Sequence, residues 1–289
     1  MPVLERTTTA LRGLVERLRP HQRDGGEPDA RPSTRTLNRN VCWMLGLGRQ
    51  PFRDNAPADE LFVDDAVEMQ LNMLAEQLRT GAMLPLLKGE QGSGKTSLLI
   101  QLMARVGDAN HFFVVRGTRT LTAQRIILDM LRVLERPIPE DTGECFRHLA
   151  RQLRDLAADG QPAILVVDDA DALEERELAH LLAAHDSLRR ALNGRFRMLL
   201  AAEPAIELRL SGLHSVQLES GQVFSANVRP LARPRIAPYL AHRLAMAGYG
   251  GELPLDDDSL DRISASAGGL PRSVETAAAS ELNSRWPDD

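Results

Sequence analysis

The sequence predicts an α/β fold: a parallel sheet covered on both faces by helices, followed by a small all-helical lid. Three observations carry this. Residues 83–201 alternate short apolar runs with amphipathic helical patterns. The first of those runs leads directly into the glycine-rich string GEQGSGKT at 89–96. Beyond Pro230 and Pro234 only helical patterns occur.

Element by element, residues 1–20 read as a short amphipathic helix, with Leu11, Leu14, Val15 and Leu18 on one face. The stretch from Pro20 to about Asn40, rich in Arg, Asp, Gly, Pro, Ser and Thr, reads as a mobile linker. Order is expected from about Trp43, where a short helix or turn runs into Pro51-Phe52. With Leu61-Phe62-Val63 and a helix starting at Asp64 or Asp65, it would form a collar beside the core.

Strands are expected at 83–88, 111–116, 163–167 and 196–201, with a fifth inside 222–228. Their almost unbroken apolar character means burial on both faces, as in a parallel sheet. Helices are expected at 96–106, about 122–134, 143–158, 173–184, 186–193 and after Pro204. The lid helices fall at about 235–247, 257–267 and 272–284. The resulting division is 1–40 for the N-terminal segment and linker, 41–229 for the nucleotide-binding core and 230–289 for the lid.

Composition sets limits. The chain has 289 residues, 43% hydrophobic and 26% charged, an ordinary globular balance. A formal charge of -5 removes the global attraction expected of a non-specific DNA binder. The two cysteines, Cys42 and Cys145, have no metal-ligand spacing, which fits a reducing compartment. Neither a signal peptide nor an apolar run of about 18 residues is present, so a cytoplasmic location is expected. The N-terminal helix leaves contact with the inner face of the membrane open.

Of 35 basic residues only Lys88 and Lys95 are lysines. A compact three-donor ammonium at a phosphate is not replaceable by the planar fork of arginine, so Lys95 is informative against that bias. Lys88 reads as a solvated strand end.

Gly89-Glu90-Gln91-Gly92-Ser93-Gly94-Lys95-Thr96 satisfies the phosphate-loop pattern G-x-x-x-x-G-K-[ST], with a strand before it and a helix after it. Glycines let successive N–H groups face the phosphates, and the new helix presents its positive end to the same anions. Ser97 belongs to that first turn. Lys95 is expected on the β- and γ-phosphates and Thr96 on Mg²⁺, with ATP as the nucleotide. Asp168, ending the third strand, is assigned to Mg²⁺ through coordinated water. Asp169 is the candidate to orient or deprotonate the attacking water; the alternative is a solvated strand-end acid. Glu203, after the fourth strand, either holds that water or caps the following helix. Arg272 follows Gly268-Gly269-Leu270-Pro271 at the start of the last helix, where a folded lid would bring it to the γ-phosphate.

About four-fifths of the chain resembles the AAA+ ATPase domains of the ExeA/GspA general-secretion type, and more closely the AAA domain of DamX-like cell-division proteins. The resemblance is carried by Pro51-Phe52, Leu61-Phe62, the phosphate loop, Val167-Asp168-Asp169-Ala170, the pattern from Tyr239 to Gly248, and Gly268 to Arg272. It departs from secretion-type relatives in having Asp168-Asp169 rather than Asp-Glu, and Ala202-Glu203-Pro204 rather than Gly-Gln-Pro. The resemblance implies a P-loop AAA+ core with helical lid and a slow or partner-triggered ATPase acting as a switch in envelope machinery, in cell division or secretion. It also implies protein partners and leaves a homo-oligomer open. Arg209 lies nearest to where an arginine finger would fall. The alternatives are a DNA-associated regulator of the transposition-target type and a nucleotide-binding structural adaptor.

Overall fold

The computed structural model describes residues 35–54, 56–81, 83–134, 139, 141–213 and 223–288. The helix expected at 1–20 lies outside the described residues. Five strands, β1 (Leu84–Lys88), β2 (His111–Arg116), β3 (Ala163–Asp168), β4 (Phe196–Ala202) and β5 (Val223–Asn227), form one sheet in the order β2-β3-β4-β1-β5. Every neighbouring pair is parallel. β1 and β3 are buried along their whole length and β4 nearly so, whereas β2 and β5 are partly exposed edges. Central strands buried on both faces require the unbroken apolar runs seen in the sequence.

The helices are α1 (Arg39–Met44), α2 (Asp65–Thr80), α3 (Lys95–Val106), α4 (Ala123–Val133), α5 (Thr142–Ala158), α6 (Glu175–Ala191), α7 (Ile206–Gly212), α8 (Arg233–Met246), α9 (Asp257–Ala267) and α10 (Pro271–Arg285). Alternate residues of β3 serve the two faces of the sheet. Leu165 and Val167 join Ile126, Leu149 and Leu178 of α4, α5 and α6 in one core, and Ile164 and Val166 join Leu74 and Leu99 of α2 and α3 in the other.

The two helical patterns at 173–184 and 186–193 form the single helix α6, which starts at Glu175 after a 3₁₀ turn at Ala170–Ala172. No Gly or Pro interrupts it, and Asp186 pairs with Arg190 one turn on. Asp64 caps α2 as expected, accepting from the Val67 N–H at 3.0 Å. Cys145 is a buried core residue.

The N-terminal described segment departs from expectation. Residues 35–42, ahead of the Trp43 start that was expected, already hold defined structure, and Asn38 caps α1 by accepting from the Val41 N–H at 2.8 Å. The Asn38 amide also donates to the Trp286 carbonyl at 2.7 Å. Leu37, Val41, Leu45 and Phe52 pack with Leu240, Leu244, Ile263 and Val274. This strap therefore packs on the lid, whereas Leu61 and α2 pack against α3 and the sheet, beside the core as expected of a collar. α8 begins at Arg233, so Pro234 sits inside its first turn, where a missing N–H costs nothing.

Lys88 is not a solvated strand end. It is 7% exposed, and its ammonium pairs with Glu207 of α7, which also accepts from Ser225 Oγ of β5 at 3.0 Å. The pair ties β1, β5 and α7 together directly behind the phosphate loop.

Candidate nucleotide-binding site

The phosphate loop is rooted between two strands. The Gly89 N–H donates to the Ala202 carbonyl at 3.1 Å, and the Val228 N–H donates to the Lys88 carbonyl at 2.7 Å. Gly92 and Gly94 hold φ of 81° and 98°, a left-handed conformation that a side chain disfavours. A Cβ on Gly89 would collide with Ser93 Oγ. Gly94 precedes α3 without any side-chain cap, so the first turn of α3 keeps donors for an anion.

Two observations fit a bound phosphate. Ser93 Oγ is buried with no hydrogen-bond partner, and a Cβ built on Gly94 would meet nothing within 4 Å. Lys95 is buried, its Nζ donating to the Gly89 and Glu90 carbonyls at 2.8 and 3.1 Å, so the ammonium lies along the loop. The loop faces a cavity of about 420 Å³, within the range of small-ligand sites. Gln91 to Leu98 line one wall, Ala56, Leu61 and Phe62 supply an apolar patch, and Arg235, Tyr239, Arg243 and Arg272 close it from the lid. Asp64 joins α2 to the lid by pairing with Arg235 at 2.5 Å.

Thr96 and Asp168 meet as the sequence suggested: Thr96 Oγ1 donates to Asp168 Oδ2 at 2.6 Å. Asp168 is 2% exposed, and burial raises its carboxyl above the ordinary carboxylate value against the lowering effect of the Thr96 hydroxyl. A divalent cation bound here would offset that penalty. Among the described residues no cluster of three or more His, Cys, Asp or Glu side chains suits a metal. One hydroxyl beside one carboxylate suits an ion that keeps phosphates and water as its other ligands, the usual habit of Mg²⁺.

Asp169 adopts a left-handed backbone with φ of 51°, strained for a non-glycine residue. Its carboxylate is gripped by Arg116, the last residue of β2, with Nε at 2.8 Å and Nη2 at 2.7 Å from Oδ2. Sequence reading missed Arg116. The signal was Gly117 directly after the strand: a Cβ there would collide with the Asp169 carbonyl oxygen.

Glu203 does not join this group. It stands exposed beyond β4 with its backbone N–H on Asp171 Oδ1 at 2.8 Å. It does not cap α7 either, whose capping position is Ala205. Arg209 is engaged within its own chain, donating to the Asp171 and Leu173 carbonyls at 2.6 Å each.

Arg272 reaches the loop. Its backbone N–H donates to the Gly92 carbonyl at 3.3 Å, and a Cβ on Gly92 would lie 3.0 Å from Arg272 Cβ. Its guanidinium pairs with Asp54 of the strap at 3.4 Å. Asp54, Arg35 and Glu275 of this corner were also not anticipated, because Arg35 fell in the expected linker and the ion pairs join residues distant in sequence.

Residues 78–210 match the AAA domain family. No curated protein matches the sequence. Among solved structures, Cdc6p from Pyrobaculum aerophilum is similar, with a TM-score of 0.54 and 21% identity over 77% of this chain and 64% of that one. The Aeropyrum pernix ORC1 protein, solved in complex with DNA, has a TM-score of 0.57 and 19% identity over 81% and 63%. The Walker-type ATPase of Pyrococcus abyssi has a TM-score of 0.57 and 16% identity over 80% and 71%. The chain spans just under two thirds of the Cdc6p and ORC1 lengths. With the strand order and phosphate loop, these likenesses give the chain the AAA+ P-loop fold with a helical C-terminal region. They do not single out the secretion or cell-division type. No helix among the described residues is long and apolar enough to cross a membrane.

Proposed function

We propose that this chain is an Mg²⁺–ATP-binding switch whose own hydrolysis is restrained. The observation that carries the reading is the convergence of Lys95, the Thr96–Asp168 hydrogen bond and the lid residue Arg272 on one glycine-built loop. The loop amides and Lys95 hold the phosphates, and Thr96 with Asp168 holds Mg²⁺, which when bound screens phosphate charge. Asp169 positions or deprotonates the attacking water once Arg116 releases it. Arg272 senses the terminal phosphate and links it to the lid and strap. Glu203 is given no role in this chemistry. A thermal melt tests the reading: Mg²⁺ and ATP together raise the melting temperature of the wild type, and the rise is lost in Lys95→Ala. An equal rise in both proteins would refute it.

The process served is proposed on the resemblance to ExeA/GspA and DamX-like domains: envelope machinery in cell division or secretion, through protein partners on the cytoplasmic side. Pull-down of the native product identifies such partners. A second reading, a DNA-associated regulator, draws on the likeness to an ORC1 protein solved with DNA. The formal charge of -5 weighs against it. Filter binding to duplex DNA with and without ATP separates the two, since tight ATP-dependent binding at physiological salt would favour the second.

A further inference from the structure

Resting on the nucleotide-site reading above, we propose that Asp54 sets the discrimination between nucleoside triphosphate and diphosphate, by competing with the terminal phosphate for the Arg272 guanidinium. Arg272 is pinned at its backbone to Gly92, so its side chain swings from a fixed pivot on the phosphate loop. The phosphate loop and Asp54 line the same cavity as Arg272, and the guanidinium rests on Asp54.

Asp54 belongs to a network of two strengths. The inner part is Glu275, 5% exposed, which accepts from Arg35 at 2.8 Å and from the Tyr239 hydroxyl at 2.7 Å and lies 3.2 Å from Arg243 Nε. Burial disfavours the Arg35 charge, yet Asp54 and Glu275 more than offset this and hold it protonated. This inner set is multiply bonded and stays in place. The outer contact, Asp54 to Arg272, is a single 3.4 Å pair between side chains 49% and 54% exposed. Such pairs contribute little, whereas a terminal phosphate offers several charged oxygens to the planar guanidinium fork. The exchange therefore runs toward the phosphate when a triphosphate enters. A diphosphate, one phosphoryl group shorter, is held by the loop amides and Lys95 and leaves Arg272 on Asp54. Asp54 keeps its 2.6 Å bond to Arg35 in both cases, so the change is felt by the strap packed on the lid.

The test is Asp54→Asn in the full chain, titrated with ADP and with a non-hydrolysable ATP analogue in Mg²⁺. The expected result is tighter triphosphate binding by about two- to fivefold, the scale of an exposed ion pair, with ADP affinity unchanged. In an Arg272→Ala background the same substitution changes neither affinity. Equal shifts for both nucleotides, including the joint loss that partial unfolding would give, overturn the inference, as does a triphosphate gain that persists without Arg272. A wild-type chain that binds neither nucleotide overturns the site reading itself; one that binds both while Asp54→Asn is indistinguishable from it overturns this inference alone.

Discussion

The Arg116 guanidinium holds the Asp169 carboxylate from two nitrogens, at 2.8 and 2.7 Å from one oxygen, across the register that places Arg116 beside Asp168. The side chain we propose to activate water is thereby paired with an arginine of the neighbouring strand. Gly117 permits this approach and the strained backbone of Asp169 completes it. In our reading the site is built to bind before it is built to turn over.

Freeing Asp169 tests this. Arg116→Ala is expected to raise basal phosphate release by about two- to fivefold, the scale of a part-exposed ion pair of up to about 1 kcal/mol. ATP affinity should change by less than about twofold, because Arg116 is not part of the phosphate loop. Asp169→Asn should lower any turnover by about 100-fold, the lower end of general-base effects, with binding kept. A coupled phosphate assay reads all three proteins; an Arg116→Ala rate at or below wild type contradicts the restraint.

Much of this site was legible because its chemistry is local in sequence. The phosphate loop needs glycines, lysine and threonine at fixed offsets, and Asp168 ends a strand whose apolar run announces it. The central strands were legible because burial on both faces leaves unbroken apolar runs, and the lid helices because their apolar residues recur at helical spacing. What was not legible depends on distant partners. Lys88 looks solvated until α7 brings Glu207 to it, Arg116 looks like any strand end, and Asp54 acquires meaning only through a strap that docks on the lid. Asn38 caps α1, but the polar composition around it argued for a linker.

The Lys88–Glu207 pair gives a stability prediction. Glu207→Ala leaves an ammonium that is 7% exposed without its carboxylate, at a cost of about 1–3 kcal/mol. Lys88→Met in the same chain removes the stranded charge and should recover part of the loss. Urea unfolding midpoints measure both; an undisturbed midpoint in Glu207→Ala would mean that the pair contributes nothing.

His185 predicts an acid limb. Burial lowers its imidazole from 6.5 to about 4, with Arg189 adding to the effect, beside Phe196 at a centroid distance of 5.8 Å. Above pH 6.5 both folded and unfolded chains carry it neutral. As pH falls below that value the unfolded chain takes up a proton that the folded chain refuses until about pH 4, so stability is lost across that window. The full loss is about 3 kcal/mol. His185→Gln should flatten the profile between those limits, and chemical denaturation as a function of pH would show it. An unchanged slope would place the acid sensitivity elsewhere.

The most direct measurement of the central claim is a calorimetric titration of the full chain with ATP in Mg²⁺, repeated in EDTA and with Lys95→Ala. We expect saturable binding near one nucleotide per chain, weakened by chelation through loss of the ion held by Thr96 and Asp168. In Lys95→Ala it should weaken by about 10- to 100-fold, the scale of a lost charged hydrogen bond or two. Binding indifferent to Lys95, or no heat at all in the wild type, would contradict the account.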